Sequence, residues 1–171
     1  NGKDWWLVKA DCINNRYQEF LVKEDSILGP YYQDIPINYQ GDFCYFLSKI
    51  YFNNTGTQMA SSICGHILGG PFYYRNGVDI FDFDRCTATL SNAVHVNMPF
   101  ENGYNVGMAI SPGSNALYVS NTQHVYQFDL TAANIAASQL TVATYDSFVS
   151  VFPGFPNGFA TLFGLSALAP D

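Results

Sequence analysis

An alternation of apolar and polar residues with a period of two is the feature that most restricts the fold of this chain. Within residues 79–84 it places Phe81 and Phe83 on one face of an extended segment, and residues 16–22 and 125–130 show related patterns. Successive side chains of a β-strand point to opposite faces, so each segment is predicted to be a strand with one buried aromatic face. Further strands are predicted at residues 5–9, 43–52, 106–110, 116–120, 140–145 and 164–168.

Composition is consistent with one folded domain and excludes several classes of protein. The chain has 171 residues, of which 48% are hydrophobic and only 12% are charged, and its net charge is −7. An acidic chain has no basic face to neutralise phosphates, so nucleic-acid binding is excluded. We expect no targeting segment at the start of the chain, as in the mature form of an exported protein, and proline and glycine interrupt its longest uncharged stretch, so no membrane span is predicted.

Strand and turn motifs recur along the chain at intervals close to the length of a four-stranded sheet. The pair Phe83-Asp84 recurs as Phe128-Asp129, and the proline-containing turn at residues 111–115 has a similar counterpart at residues 169–171. Short strands at regular spacing favour β-propeller-like blades, with a β-sandwich as the structural alternative. We therefore predict one all-β domain over residues 1–171, built from antiparallel propeller-like blades.

Five sets of motifs also occur in a characteristic order. They are GKDWWLV at 2–8, FDFDRCT at 81–87 with LSN at 90–92, SPG at 111–113 with LYVS at 117–120, VYQFDL at 125–130 with IAAS at 135–138, and LAPD at 168–171. This set resembles the WD-like or YVTN-like propeller regions of large secreted Bacteroidetes proteins, which often end in a type IX secretion sorting domain. The resemblance implies a propeller fold and an extracellular or cell-surface location. Ala88 stands where that family tends to have glycine.

The predicted blades cover residues 5–37, 38–98 and 99–146, and residues 147–171 begin a further one. A closed propeller needs about four to eight blades, so about three blades form a partial ring. Its end strands would present unpaired backbone groups and apolar faces. We expect protein partners, or further copies or segments of the protein, to complete the ring.

Asp79, Asp82 and Asp84 form the densest group of acidic residues. Asp82 and Asp84 are candidate paired carboxylates of an enzyme that acts on glycans, or candidate ligands of a hard cation. In the structural alternative, Asp84 and Asp129 accept hydrogen bonds from the turns that follow them. Repetition in two blades favours the structural alternative, so we predict no catalytic residue, metal or cofactor.

A cluster of aromatic residues gives a candidate surface for sugars or peptides. The predicted binding residues are Phe72, Tyr73, Tyr74 and Arg75. The pairs at residues 5–6 and 31–32 offer similar surfaces, although aromatic pairs in strands also serve packing between sheets. Residues 65–70 lack the Lys-Ser/Thr of a phosphate-binding loop and are predicted to form a loop before the next strand.

Covalent modification is predicted at two kinds of site. The four cysteines, Cys12, Cys44, Cys64 and Cys86, have no zinc-binding spacing and form either two disulfides or buried free thiols. Asp25-Ser26-Ile27 resembles the short O-glycosylation motif of exported Bacteroidetes proteins, which makes Ser26 a candidate site.

Together these features predict a non-enzymatic extracellular or cell-surface β-propeller module that serves as a scaffold for adhesion, protein interaction or assembly. One alternative is an extracellular hydrolase or lyase that acts on glycans through Asp82 and Asp84. The other is a self-assembling fibre or matrix subunit whose strands at residues 5–9 and 164–168 pair between chains.

Overall fold

A computed structural model of the chain describes residues 4–11, 16–34, 42–44, 49–67, 74–98, 107–152, 155–160 and 163. The secondary structure of these residues consists of β-strands and one short 3-10 helix, Ala136–Ser138. The predicted all-β class is therefore confirmed.

The strands form four antiparallel sheets that follow one another along the chain. The first sheet contains β1 (Trp5–Asp11), β2 (Arg16–Val22) and β3 (Ile27–Asp34). The second contains β4 (Asp42–Cys44), β5 (Ile50–Phe52), β6 (Gln58–Ile67), β7 (Tyr74–Phe83) and β8 (Leu90–Asn97). The third contains β9 (Gly107–Ile110), β10 (Ala116–Ser120), β11 (His124–Asp129) and β12 (Leu140–Thr144), and the fourth contains β13 (Val149–Phe152) and β14 (Phe155–Ala160).

Strands that are consecutive in sequence are mostly neighbours in their sheet. The third sheet has the order β12-β11-β10-β9, and the second has the order β4-β6-β7-β8, with β5 also pairing with β6. None of the sheets formed by the described residues closes into a barrel. Each sheet is therefore open, and a neighbouring sheet can pack on either of its two faces.

Two apolar clusters join the first three sheets face to face. One lies between the first and second sheets and contains Tyr17, Met59, Phe81, Phe83, Ala88 and Leu90. The other lies between the second and third sheets and contains Ala60, Val78, Ile80, Val96, Met98, Met108, Ile110, Leu117, Val119, Tyr126 and Phe128. Full burial of each large apolar side chain contributes about 1.5–3 kcal/mol. The second sheet is therefore the middle layer of a stack of three.

Strand β7 lies inside the second sheet, and its residues 77–81 are buried on both faces. Its aromatic face, with Phe81 and Phe83, packs toward the first sheet as part of the cluster around Tyr17. Val78 and Ile80, on the opposite face, pack toward the third sheet. The alternation predicted the aromatic face correctly, but it gave no indication that a second sheet covers the other face.

Several predicted element bounds differ from those of the structure. The strand predicted at residues 43–52 is two strands, β4 and β5, and both pair with β6. The prediction of a loop from residue 65 was wrong for residues 65–67, because β6 extends through Ile67 and pairs with β4 and β7. The strand predicted at residues 164–168 lies outside the described residues.

The turn between β7 and β8 contains a buried residue with left-handed backbone geometry. Ala88 has φ 61° and is 1% exposed, and its amide donates a hydrogen bond to the carbonyl oxygen of Asp84. Glycine adopts this conformation without steric cost. The backbone conformation of Ala88 is therefore one that glycine would adopt more easily than alanine.

Candidate functional site

Asp79 and Asp82 lie on opposite faces of β7. Asp79 is fully buried and shares its face with Phe81, whereas Asp82 is exposed. Asp82 Oδ2 accepts a hydrogen bond of 2.6 Å from Asn92 Nδ2 on β8. The acidic cluster of the sequence is thus divided between the interior and the surface.

Asp84 and Asp129 hold the turns that follow β7 and β11. Asp84 Oδ1 accepts hydrogen bonds from the backbone amides of Cys86 (2.7 Å) and Thr87 (3.4 Å). Asp129 Oδ1 accepts hydrogen bonds from the hydroxyl and the amide of Thr131 (2.6 and 2.8 Å). These bonds hold the pKa of each carboxyl below its ordinary value, through the Cys86 amide at Asp84 and the Thr131 hydroxyl at Asp129. A carboxyl with a lowered pKa is a poor general acid, so the geometry favours the structural interpretation.

Ser61, Asp79 and His95 form a row across β6, β7 and β8, because the strand registers place them opposite one another. His95 Nδ1 lies 2.7 Å from Asp79 Oδ1, and His95 Nε2 lies 3.1 Å from Asn97 Oδ1. A serine nucleophile needs the histidine between itself and the carboxylate. Here the carboxylate occupies the middle position and Ser61 is fully buried, so the row does not form a nucleophilic triad.

Tyr17 and Glu19 of β2 are buried. They contribute two of the three buried polar atoms that lack hydrogen-bond partners in the described part of the chain. These atoms are Tyr17 Oη, Glu19 Oε1 and Ser61 Oγ. The Tyr17 and Ser61 hydroxyls are neighbours, but their geometry does not form a hydrogen bond. Burial raises the pKa of Tyr17, and it raises the pKa of Glu19 to about 7. The carboxyl of Glu19 therefore titrates near neutral pH.

A groove of about 830 Å³ is formed by the first and second sheets. It lies where β1 begins and where the β5–β6 and β7–β8 turns project. Its lining includes Asp4, Trp5, Trp6, Phe52, Asn54 and Arg85. The groove thus combines aromatic rings with charged and amide side chains.

Hydrogen bonds connect the walls of this groove. Trp6 Nε1 donates to the carbonyl oxygen of Arg85 at 3.0 Å, and an Arg85 guanidinium nitrogen donates to the carbonyl oxygen of Thr55 at 3.1 Å. The Arg85 side chain also lies against Gly56, where an added Cβ would come within 3.3 Å of Arg85 Cδ. The β1 strand, the β5–β6 turn and the β7–β8 turn are therefore held in one arrangement.

The face of the first sheet that points away from the second carries a row of exposed apolar side chains. We call it the outer face, and its apolar residues are Trp5, Leu7, Phe20, Val22, Ile27 and Tyr32. Trp5 is 70% exposed, Ile27 68%, and Leu7 and Tyr32 52% each. The Arg16 guanidinium lies 4.0 Å from the centre of the Tyr32 ring. The outer face thus carries apolar side chains on three neighbouring strands, of which Phe20 and Val22 are half-buried, beside the charged Lys9 and Arg16.

The remaining predicted sites fall largely outside the described residues. Phe72, Tyr73 and Cys12 are outside, as are the side chains of Tyr74, Arg75, Cys44 and Cys64. Cys86 is exposed with a free thiol, so the structure gives it no disulfide, and pairing among the other cysteines stays a prediction. Ser26 is exposed and its hydroxyl donates to Asp25 Oδ1 at 3.1 Å, while its glycosylation stays a prediction.

The described residues contain no group of three or more His, Cys, Asp or Glu side chains that could hold a metal ion. A search of the same residues finds no helix with the length and apolar character to cross a membrane. Comparisons with protein-family models, curated proteins and solved structures give no significant match. Fold and site define an all-β protein of stacked antiparallel sheets, with an aromatic groove and an exposed apolar outer face.

Proposed function

We propose that this chain is a non-enzymatic interaction module of an extracellular or cell-surface protein. In this proposal its sheets are the blades of a partial β-propeller that serves as a scaffold for protein interaction, adhesion or assembly. The observation that carries the proposal is the exposed outer face of the first sheet. An exposed apolar patch of this kind on a folded protein is typical of a contact surface.

The packing inside the chain indicates what covers the outer face. The first sheet buries Tyr17 against the second sheet, and the second buries Val78 and Ile80 against the third. Leu7 and Ile27 occupy the corresponding positions on the uncovered side. A further sheet, packed at the usual spacing of about 10 Å, would continue the stack as one blade follows another. For the isolated chain, a second copy supplies such a sheet.

We expect the purified chain to associate in a concentration-dependent manner, and we expect Leu7→Glu to weaken this association at least about tenfold, because a buried leucine contributes about 1.5–3 kcal/mol. Sedimentation velocity over a range of concentrations measures the effect. The matched control is Leu140→Glu, which changes the net charge equally at an exposed position of β12 in the third sheet. A chain that stays monomeric at high concentration, or an equal effect of both variants, would contradict the proposal.

The size of the assemblies distinguishes a module from a fibre subunit. Contact between two outer faces is isologous and closes as a dimer, whereas contact between the outer face and a different surface continues into longer assemblies. Because the outer face is self-complementary in its apolar character, we expect dimers. Filaments would instead favour the self-assembling matrix subunit.

A further inference from the structure

We propose that the groove between the first and second sheets binds a neutral oligosaccharide. This inference goes beyond the role of the outer face, and it does not depend on that role. Its volume of about 830 Å³ lies within the range typical of ligand sites. The side chains of residues 72–75, where the sequence predicted ligand binding, lie outside the described residues.

The aromatic rings give the groove a surface on which sugar rings can stack. Trp5 belongs to the outer face and also borders the groove at the start of β1, where it is 70% exposed and within reach of a ligand. Trp6 is held by its hydrogen bond to the Arg85 carbonyl oxygen, and the rings of Phe52 and Phe83 pack edge to face at 4.9 Å. A rigid wall reduces the entropy lost when a ligand binds.

Polar groups beside these rings supply the hydrogen bonds that hydroxyl groups need. Asp4 is an acceptor, Asn54 is both donor and acceptor, and the Arg85 guanidinium carries five N–H donors. All three side chains line the groove and are exposed. One Arg85 donor holds the Thr55 carbonyl, which fixes the guanidinium at the edge of the site.

Charge favours a neutral ligand over an acidic one. Among the lining residues Asp4 and Arg85 contribute one charge of each sign, so the groove adds no net positive charge to a chain of net −7. An acidic polymer would be repelled by the protein as a whole. A neutral sugar pays no such penalty, and its hydroxyl groups match both the donors and the acceptors.

The two tryptophans of the chain both border the groove, so tryptophan emission reports on the site when the protein concentration is held constant and association through the outer face does not change. The experiment titrates the chain with cellohexaose, laminarihexaose and mannohexaose, and with an acidic oligogalacturonate for comparison. We expect at least one neutral hexasaccharide to shift the emission. We also expect it to slow alkylation of the Cys86 thiol, which lies exposed in the same groove.

Variants place the binding at the groove and separate it from association through the outer face. By calorimetry, Arg85→Gln should weaken binding of that hexasaccharide about tenfold or more, because charged hydrogen bonds are lost, and it changes no residue of the outer face. Trp5→Ala should also weaken binding, because stacking is lost. Leu140→Ala, at an exposed position of β12 outside both the groove and the outer face, should bind as the parent chain does. The proposal is overturned if no neutral sugar binds up to about 10 mM, if only the oligogalacturonate binds, or if Leu140→Ala weakens binding as much as Arg85→Gln. The Leu7→Glu variant, monomeric but still able to bind sugar, would show that the two surfaces act independently.

Discussion

Replacing Glu19 by glutamine should stabilise the chain at pH 8 by roughly 1–3 kcal/mol and leave its stability at pH 4 almost unchanged. Glu19 is 5% exposed, and its Oε1 atom has no partner among the described residues. Burial raises the pKa of this carboxyl from 4.5 to about 7. A neutral side chain of the same shape avoids the cost of an ionised carboxylate in the interior.

The sign of the pH dependence follows from the protons bound by each state. Between pH 4.5 and about 7, Glu19 loses its proton in the unfolded chain but keeps it in the folded chain. The folded state therefore binds more protons, and the free energy of unfolding contributed by Glu19 falls as the pH rises through this window. Below the window the carboxyl is neutral in both states, and above it the penalty is complete.

Urea denaturation of the parent chain and of Glu19→Gln at a series of pH values measures this difference. Subtracting the two curves removes the contribution of groups such as Asp84 and Asp129, whose lowered pKa values stabilise the fold at neutral pH and lose that effect as the pH falls. The same substitution at Glu24, an exposed residue of the β2–β3 connection, provides the control. Equal stability of parent and Glu19→Gln at pH 8 would show that the Glu19 carboxyl is solvated in the folded state.

Sequence reasoning predicted the strands whose side chains alternate and missed those that depend on tertiary burial. Strand β10 matches its predicted bounds. Its alternate residues Leu117 and Val119 pack toward the second sheet, and this one-sided packing produces the alternation from which the strand was predicted. In strand β6 the run Met59–Ser62 is buried on both faces. Two of its buried residues are serines, so the run shows no alternation of apolar and polar residues that would predict a strand. Strand β3 contains Gly29 and Pro30, which indicate a break in sequence but are tolerated at the edge of a sheet.

The candidate site was only partly predictable for a similar reason. Trp5 and Trp6 stand out as an aromatic pair at the start of a predicted strand. Their partner Arg85 is 79 residues from Trp6 in sequence, and its own hydrogen bond reaches back 30 residues to Thr55. No local pattern encodes such separations, because the packing of the first sheet on the second creates them. The burial of Glu19 has a clearer indication in the sequence, because alternation within β2 places it on the same face as Tyr17.

Replacing Asn53 by alanine should destabilise the chain by about 2–3 kcal/mol, since it removes several buried hydrogen bonds from one turn. Asn53 is 6% exposed, and its Oδ1 atom accepts hydrogen bonds from the amides of Thr57 (2.8 Å) and Gln58 (3.1 Å). Its Nδ2 atom donates to Thr57 Oγ1 (3.2 Å) and, across to the β9–β10 turn of the third sheet, to Ser114 Oγ (3.1 Å). The side chain therefore closes the β5–β6 turn and also connects two layers of the stack.

Chemical denaturation of three variants separates these two roles. Asn54→Ala changes the exposed neighbour in the same turn and should alter the free energy of unfolding by less than about 0.5 kcal/mol. Asn53→Asp keeps the Oδ1 acceptor, but it loses the Nδ2 donor and introduces a buried carboxylate, so it should destabilise the chain at neutral pH and less so at a pH low enough to protonate that carboxylate. A double-mutant cycle with Ser114→Ala measures the connection between the sheets, which we expect to be about 0.5–1.5 kcal/mol because it is one neutral hydrogen bond. A coupling energy of zero would mean that Asn53 stabilises the turn alone, and that the apolar cluster by itself joins the second sheet to the third.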